Sequence, residues 1–145
     1  MYSKSHLIIS LAVGAVVAVA TGQPVLPTAA TVGYAAVLGV GIDFDHFVIA
    51  RLNTGDWETL LGLVRNPRRA LFDQSTIFEG GEDVTRLQRL LSHVLLSGLL
   101  VAGLYPISPY AALVSGAVLY VHVLSDLYQD VRDEAEESRS PHGRL

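Results

Sequence analysis

The 145-residue sequence predicts an all-α, polytopic membrane protein: four short transmembrane helices arranged as two hairpins, with a cytoplasmic amphipathic-helix insertion between them. Two observations carry that expectation. Half of the residues are hydrophobic, only 17% are charged, and the mean hydropathy is +0.40, against about 25% charged residues in an ordinary soluble domain. The few charges are also unevenly placed. No Asp, Glu, Lys or Arg occurs from Leu7 to Ile42 or from Leu90 to Ser125, two blocks of 36 residues each. A membrane-spanning helix needs about 20 residues, so each block is too long for one pass and suits two short ones. A soluble bundle would carry a charged stripe along each helix, and these blocks have none.

Both blocks are interrupted near the middle. Thr21-Gly22-Gln23-Pro24, followed by Pro27 and Thr28, breaks the first, and the stretch from Gly103 to Pro109 breaks the second. Proline lacks the backbone donor and clashes with the preceding helical turn, so both sites are expected to be turns. The four helices are then expected at about 5–21, 28–44, 89–104 and 108–129. Small residues recur in them, among them Gly14, Ala18, Ala35, Gly39, Ser97, Ser115 and Gly116, as close helix packing in lipid requires.

An even number of passes places both termini and the middle segment on one side. All ten Lys and Arg residues lie in those parts and none in the two breaks. The positive-inside tendency makes that side cytoplasmic, so the chain is expected to be integral to the cell membrane with both termini inside. The first segment also resembles a signal peptide, with Lys4, an apolar run and Ala18-Val19-Ala20. It is expected to be retained, because another spanning segment follows it and His6 would be lost.

Residues 51–88 are too polar to cross and form the insertion. Asp56–Arg65 reads as a short amphipathic helix with Trp57 at headgroup level. Asn66-Pro67-Arg68-Arg69 begins a second, with Pro67 at its first helical position. Glu79–Asp83 is a loop. Residues 1–129 make one membrane domain, and the charged tail 130–145 is expected to be disordered.

Four of the five histidines sit at helix ends. His6 opens the first helix, Asp43, Asp45 and His46 close the second, His93 lies one turn inside the third, and His122 and Asp126 lie near the end of the fourth. Under the expected topology these ends all face the cytoplasm, so the seven groups share one depth. His122 and Asp126 are i and i+4 and project from one helix face. Imidazole and carboxylate without thiolate suit a divalent metal, zinc above all, with manganese or another first-row ion as alternatives. Seven groups exceed the needs of one four-coordinate ion, so one or two ions are expected. Arg89, one turn before His93, can hold a phosphate through paired hydrogen bonds. Ionisable groups inside a membrane are costly and mark function.

These residues resemble an inner-membrane family of LexA-regulated, metal-dependent hydrolases. Its members carry an early His, a Pro-Asp-x-Asp-His run closing a helix, a His-Arg-Gly-x-Thr-His-Ser segment and a late His-x-x-x-Asp. Here these fall on His6, on Asp43-Phe-Asp45-His46, on Gln88-Arg89-Leu90-Leu91-Ser92-His93-Val94 and on His122 to Asp126. Ile42, Gln88, Leu90 and Val94 depart from the pattern. The His-x-x-x-Asp pair is also similar to that of zinc-dependent phospholipases C. The resemblance implies a hydrolase with His6, Asp43, Asp45, His46, His93, His122 and Asp126 around metal, and Asp43, Asp45 and Arg89 in catalysis. The expected partners are membrane lipids and an anionic or phosphoester substrate presented at the cytoplasmic face.

Two rival expectations share these residues: a membrane metal carrier or sensor, and a scaffold in which the polar cluster only ties helices together. A net charge of −4 argues against nucleic acid as a partner. The absence of cysteine removes disulfides and thiolate sites. No feature of the sequence sets an oligomeric state.

Overall fold

The computed structural model describes residues 3–57, 61, 65 and 85–139, which are mainly helical, with no strand among them. Helix α1 runs Ser3–Ala20, α2 Val25–Gly41, α3 Asp45–Thr54, α4 Arg86–Leu104 and α5 Pro109–Arg139, with a 3-10 turn, Ile42–Phe44, joining α2 to α3. The two sequence breaks are turns. Gly22 takes a left-handed φ of 68° between α1 and α2, which glycine alone adopts without strain. Pro27 does not lengthen that turn. It lies in the first turn of α2, where its missing N–H is not needed. Pro109 is the first residue of α5, for the same reason.

Three helical runs are long and apolar enough to cross a membrane: Val25–Thr54, Arg86–Leu104 and Pro109–Arg139. The apolar run Lys4–Ala20 is shorter. Many large aliphatic side chains face outward while several polar and ionisable ones are buried. Val16, Val19, Leu26, Val37 and Leu99 are exposed, whereas His6, Ser10, Thr31, His93, Ser115, His122 and Asp126 are buried. Such a distribution suits lipid as the surrounding solvent, because polar groups then need partners inside.

Close approach of small residues sets the packing. A Cβ on Gly14 would sit 2.6 Å from Ala35 Cβ, and one on Gly39 would overlap the Ser10 hydroxyl. The pairs Gly14–Ala35 and Ser10–Gly39 fix α1 and α2 as antiparallel. Helix α5 lies against α1, α2 and α4, and its Val114 and Val118 join Ala35 in the apolar core. Two hydrogen bonds tie α2 to α5, Thr31 to Tyr110 at 2.9 Å and Tyr34 to Ser115 at 2.7 Å. They advance along both chains in the same sense, so these helices are parallel.

Three expectations need correction. The second helix does not end at 44. The tight turn at Ile42–Phe44 carries it into α3, which stops at Gly55 with φ 86°, a left-handed helix terminus. The fourth helix does not stop at 129, and residues 130–139 are helical rather than a disordered tail. Arg132–Glu136 and Gln129–Asp133 bond at i, i+4, and Arg86 pairs with Glu137 across to α4. The third helix begins earlier than 89, because Thr85 and Gln88 form a capping box. Within Asp56–Arg65, the Leu61 N–H donates to the Trp57 carbonyl, one helical turn. The Arg51 guanidinium lies 5.7 Å from the Trp57 ring. The rest of that segment, the second short helix from Asn66, the Glu79–Asp83 loop and His142 lie outside the described residues.

Candidate metal centre

Each donor reaches the centre for a local reason. His6 lies in the first turns of α1, one turn before Ser10, and the Ser10–Gly39 contact presses that face against the end of α2. The 3-10 turn then brings Asp43 inward, and Asp45 and His46 follow in the first turn of α3. His93 stands two turns into α4, anchored by the Thr85 capping box. His122 and Asp126 project from one face of α5. The structure thus gathers, from five elements, all seven groups whose shared depth the sequence suggested. His6, His93 and His122 are each 1% exposed and Asp126 3%, while the Asp43 and His46 side chains are each 16% exposed. The last two mark the side from which the centre is reached.

Acceptor atoms converge here. Asp43 Oδ1 lies 3.3 Å from His93 Nε2 and 3.3 Å from His122 Nε2. Asp126 Oδ2 is 3.5 Å from His122 Nε2 and 3.8 Å from His93 Nε2, and Asp126 Oδ1 is 3.1 Å from His6 Nε2. Two groups of donors can each hold a metal ion: His6, Asp43, His122 and Asp126, and Asp43, His46 and His93.

Ligands on a tetrahedral ion at about 2.0–2.1 Å stand about 3.3–3.4 Å from one another. The Asp43–His122, Asp126–His122, Asp43–His93 and Asp126–His6 separations of 3.1–3.5 Å lie around that value. Burial points the same way. His122 Nε2 is buried, makes no hydrogen bond among the described residues, and has carboxylate oxygens of Asp43 and Asp126 at 3.3 and 3.5 Å. A buried nitrogen without a hydrogen bond is costly, and a cation between it and the two carboxylates removes that cost. The residues therefore fit a divalent metal.

Asp45 occupies a different place from the other donors. Its Oδ2 lies 2.7 Å from His93 Nδ1 and 2.5 Å from the Ser92 hydroxyl, which donates to it. Accepting a hydrogen bond from the His93 Nδ1–H leaves Nε2 with its lone pair toward Asp43. This is how a carboxylate behind a histidine sets the tautomer of a metal ligand. Asp45 Oδ1 has no hydrogen-bond partner among the described residues and lies 3.7 Å from His46 Nε2.

Arg89 lies one turn before His93, and its guanidinium is held by both carboxylate oxygens of Asp130, at 2.5 and 2.6 Å. Gln88 faces away from the donors. It closes the capping box with Thr85 and exchanges hydrogen bonds with Asn53 at 3.0 and 3.3 Å. Sequence reasoning did not single out Ser92 or Asp130 as participants. The available signal was helical spacing: Asp130 is one turn beyond Asp126, as Arg89 is one turn before His93.

No family model matches the chain, and neither does any curated protein or solved structure.

Proposed function

We propose that this chain is a membrane-embedded, metal-dependent hydrolase acting on a phospholipid or other lipid-linked phosphoester at the cytoplasmic membrane face. The convergence of His6, Asp43, His46, His93, His122 and Asp126 in a buried cluster carries this reading. In it α1, α2, α4 and α5 each cross the bilayer, as two hairpins. The donors come from the start of α1, the end of α2, the start of α4 and the later part of α5. Those positions share one end of such a bundle. The placement of all ten Lys and Arg residues in the parts of the chain on that side supports the cytoplasm as its location. A lipid headgroup reaches that depth without leaving the membrane.

The residues divide the work. The six converging side chains hold the metal, zinc being the ion that best suits imidazole and carboxylate donors. A divalent ion held there supplies Lewis acidity and makes hydroxide accessible at neutral pH. Asp45 keeps the His93 ring in register through Oδ2. Its Oδ1 is the oxygen we assign to take a proton from the attacking water. Arg89, oriented by Asp130, meets the negative charge of the substrate.

A release assay on metal-loaded protein in lipid nanodiscs, across phospholipids and soluble phosphoesters, tests this reading. Wild type should release product from at least one lipid phosphoester. Asp45→Asn should slow it by about 10²–10⁴-fold, the usual cost of a lost general base. Arg89→Ala should chiefly raise the substrate concentration required. Metal-loaded protein that turns over none of the panel would leave a metal carrier or sensor instead.

A further inference from the structure

The donors outnumber the needs of one ion, and they separate by geometry into two sets. The imidazoles form two stacked pairs. His6 and His122 lie with ring centroids 3.9 Å apart at 17°, and His46 and His93 lie 5.1 Å apart at 13°. Between the pairs, His93 and His122 are tilted by 48°. The division by stacking matches the division of donors into groups, and Asp43 is the member common to both. Its Oδ1 stands 3.3 Å from one imidazole nitrogen of each set.

The two sets differ in closure. His6, His122 and Asp126 are almost fully buried and, with Asp43, complete four protein donors. Four protein donors, three of them almost fully buried, is the pattern of a closed site. The other set has three donors, and the side chains of Asp43 and His46 are partly exposed. Three protein donors with an accessible side leave a coordination position free.

Charge counts in the same direction. Asp43, Asp45 and Asp126 bring three carboxylates together, and the Arg89–Asp130 pair adds no net charge. With neutral histidines and ionised carboxylates, one dication leaves the cluster at −1 and two leave it at +1. Net negative charge at a site meant for an anion opposes binding, whereas +1 is balanced by a phosphate oxygen or hydroxide.

We infer that the centre is built for two inequivalent divalent ions sharing Asp43: a tightly held ion among His6, His122, Asp126 and Asp43, and an exchangeable one among Asp43, His46 and His93, open to an anionic ligand. This deepens the metal-centre part of the proposed function but does not need the hydrolytic part. Ions about 3.5–4 Å apart, clamping two oxygens of one phosphoester, are the arrangement that two-metal sites use.

Metal stoichiometry tests it without any substrate. Purified full-length protein in detergent is loaded with Zn²⁺, desalted, and titrated with a graded series of chelators while bound metal is measured by mass spectrometry. Wild type should bind two equivalents, the second released at least 100-fold more readily than the first. His46→Ala should lose only the readily released equivalent, with helix content by circular dichroism unchanged. His122→Ala should lose the tight one. Mn²⁺-loaded wild type should show the magnetic coupling of a bridged pair by electron paramagnetic resonance. A single equivalent at saturation, or two equivalents lost together in every variant, would overturn the inference. Two equivalents without turnover of any phosphoester would leave it standing and remove the hydrolase reading. One equivalent with turnover would do the reverse.

Discussion

Residue chemistry at this centre is decided by which atom of each side chain faces which neighbour. Asp45 sits within two residues of Asp43, yet it backs His93 rather than joining the converging donors. Ser92 supports that role with a hydroxyl donated to the same oxygen. Ser92→Ala and Asp45→Asn should therefore both lower metal affinity through His93, by about 10–100-fold, the usual effect of losing a group behind a ligand. Asp126→Ala should cost more, because it removes a donor outright. Chelator competition on the three purified variants gives the order, and Ser92→Ala weaker than Asp126→Ala would contradict it. Arg89 poses a separate residue-scale question. Its contact with Asp130 is a partly buried pair, so Asp130→Asn should leave metal content intact while releasing the guanidinium. The expected readout is a higher apparent KM for an anionic substrate with bound zinc unchanged.

Elements hold these residues at a common level through small side chains. Gly39 carries the heaviest constraint, since a Cβ there meets both atoms of the Ser10 side chain, one turn from His6. Gly39→Leu should separate α1 from α2, at a cost of about 1–3 kcal/mol from overpacking. It should also reduce bound metal by moving His6. A reversible unfolding measurement in mixed micelles, paired with metal analysis, checks both effects. Full stability with full metal would show that the contact is not what sets the depth of His6. By contrast, Tyr34→Phe removes a hydrogen bond to Ser115, and interhelical bonds in membranes average only about 0.6 kcal/mol. That variant should keep its metal. At the start of α4, Thr85→Ala should remove the capping box and cost about 1 kcal/mol.

For the whole molecule, exposed aliphatic and buried polar side chains suit a membrane, and the placement of Lys and Arg away from both turns sets the expected orientation. Both turns should face outward and both termini inward. The chain has no cysteine, so single introduced thiols report cleanly. Gln23→Cys and Ser108→Cys should react with an impermeant reagent from outside intact cells, and Ser138→Cys should not. Reaction of the tail with protection of both turns would reverse the topology and put the centre on the other face.

The amino-acid sequence by itself determined the helical class, the two uncharged blocks, their breaks and the set of His and Asp residues near helix ends. Those features are local. Charge, proline and i, i+4 spacing act within one helix and need no neighbour. The continuation of α5 to Arg139 was less legible, because its acidic stretch reads as a solvated tail until Arg86 and the i, i+4 pairs are placed beside it. Only the tertiary structure decided how the donors divide. Spacing fixes the face of a helix on which a side chain lies, but not the rotation and depth at which two helices meet. Here the Gly14–Ala35 and Ser10–Gly39 contacts and the ties from α2 to α5 set those quantities. They put Asp43 between two imidazole pairs, Asp45 behind His93 and Arg89 against Asp130.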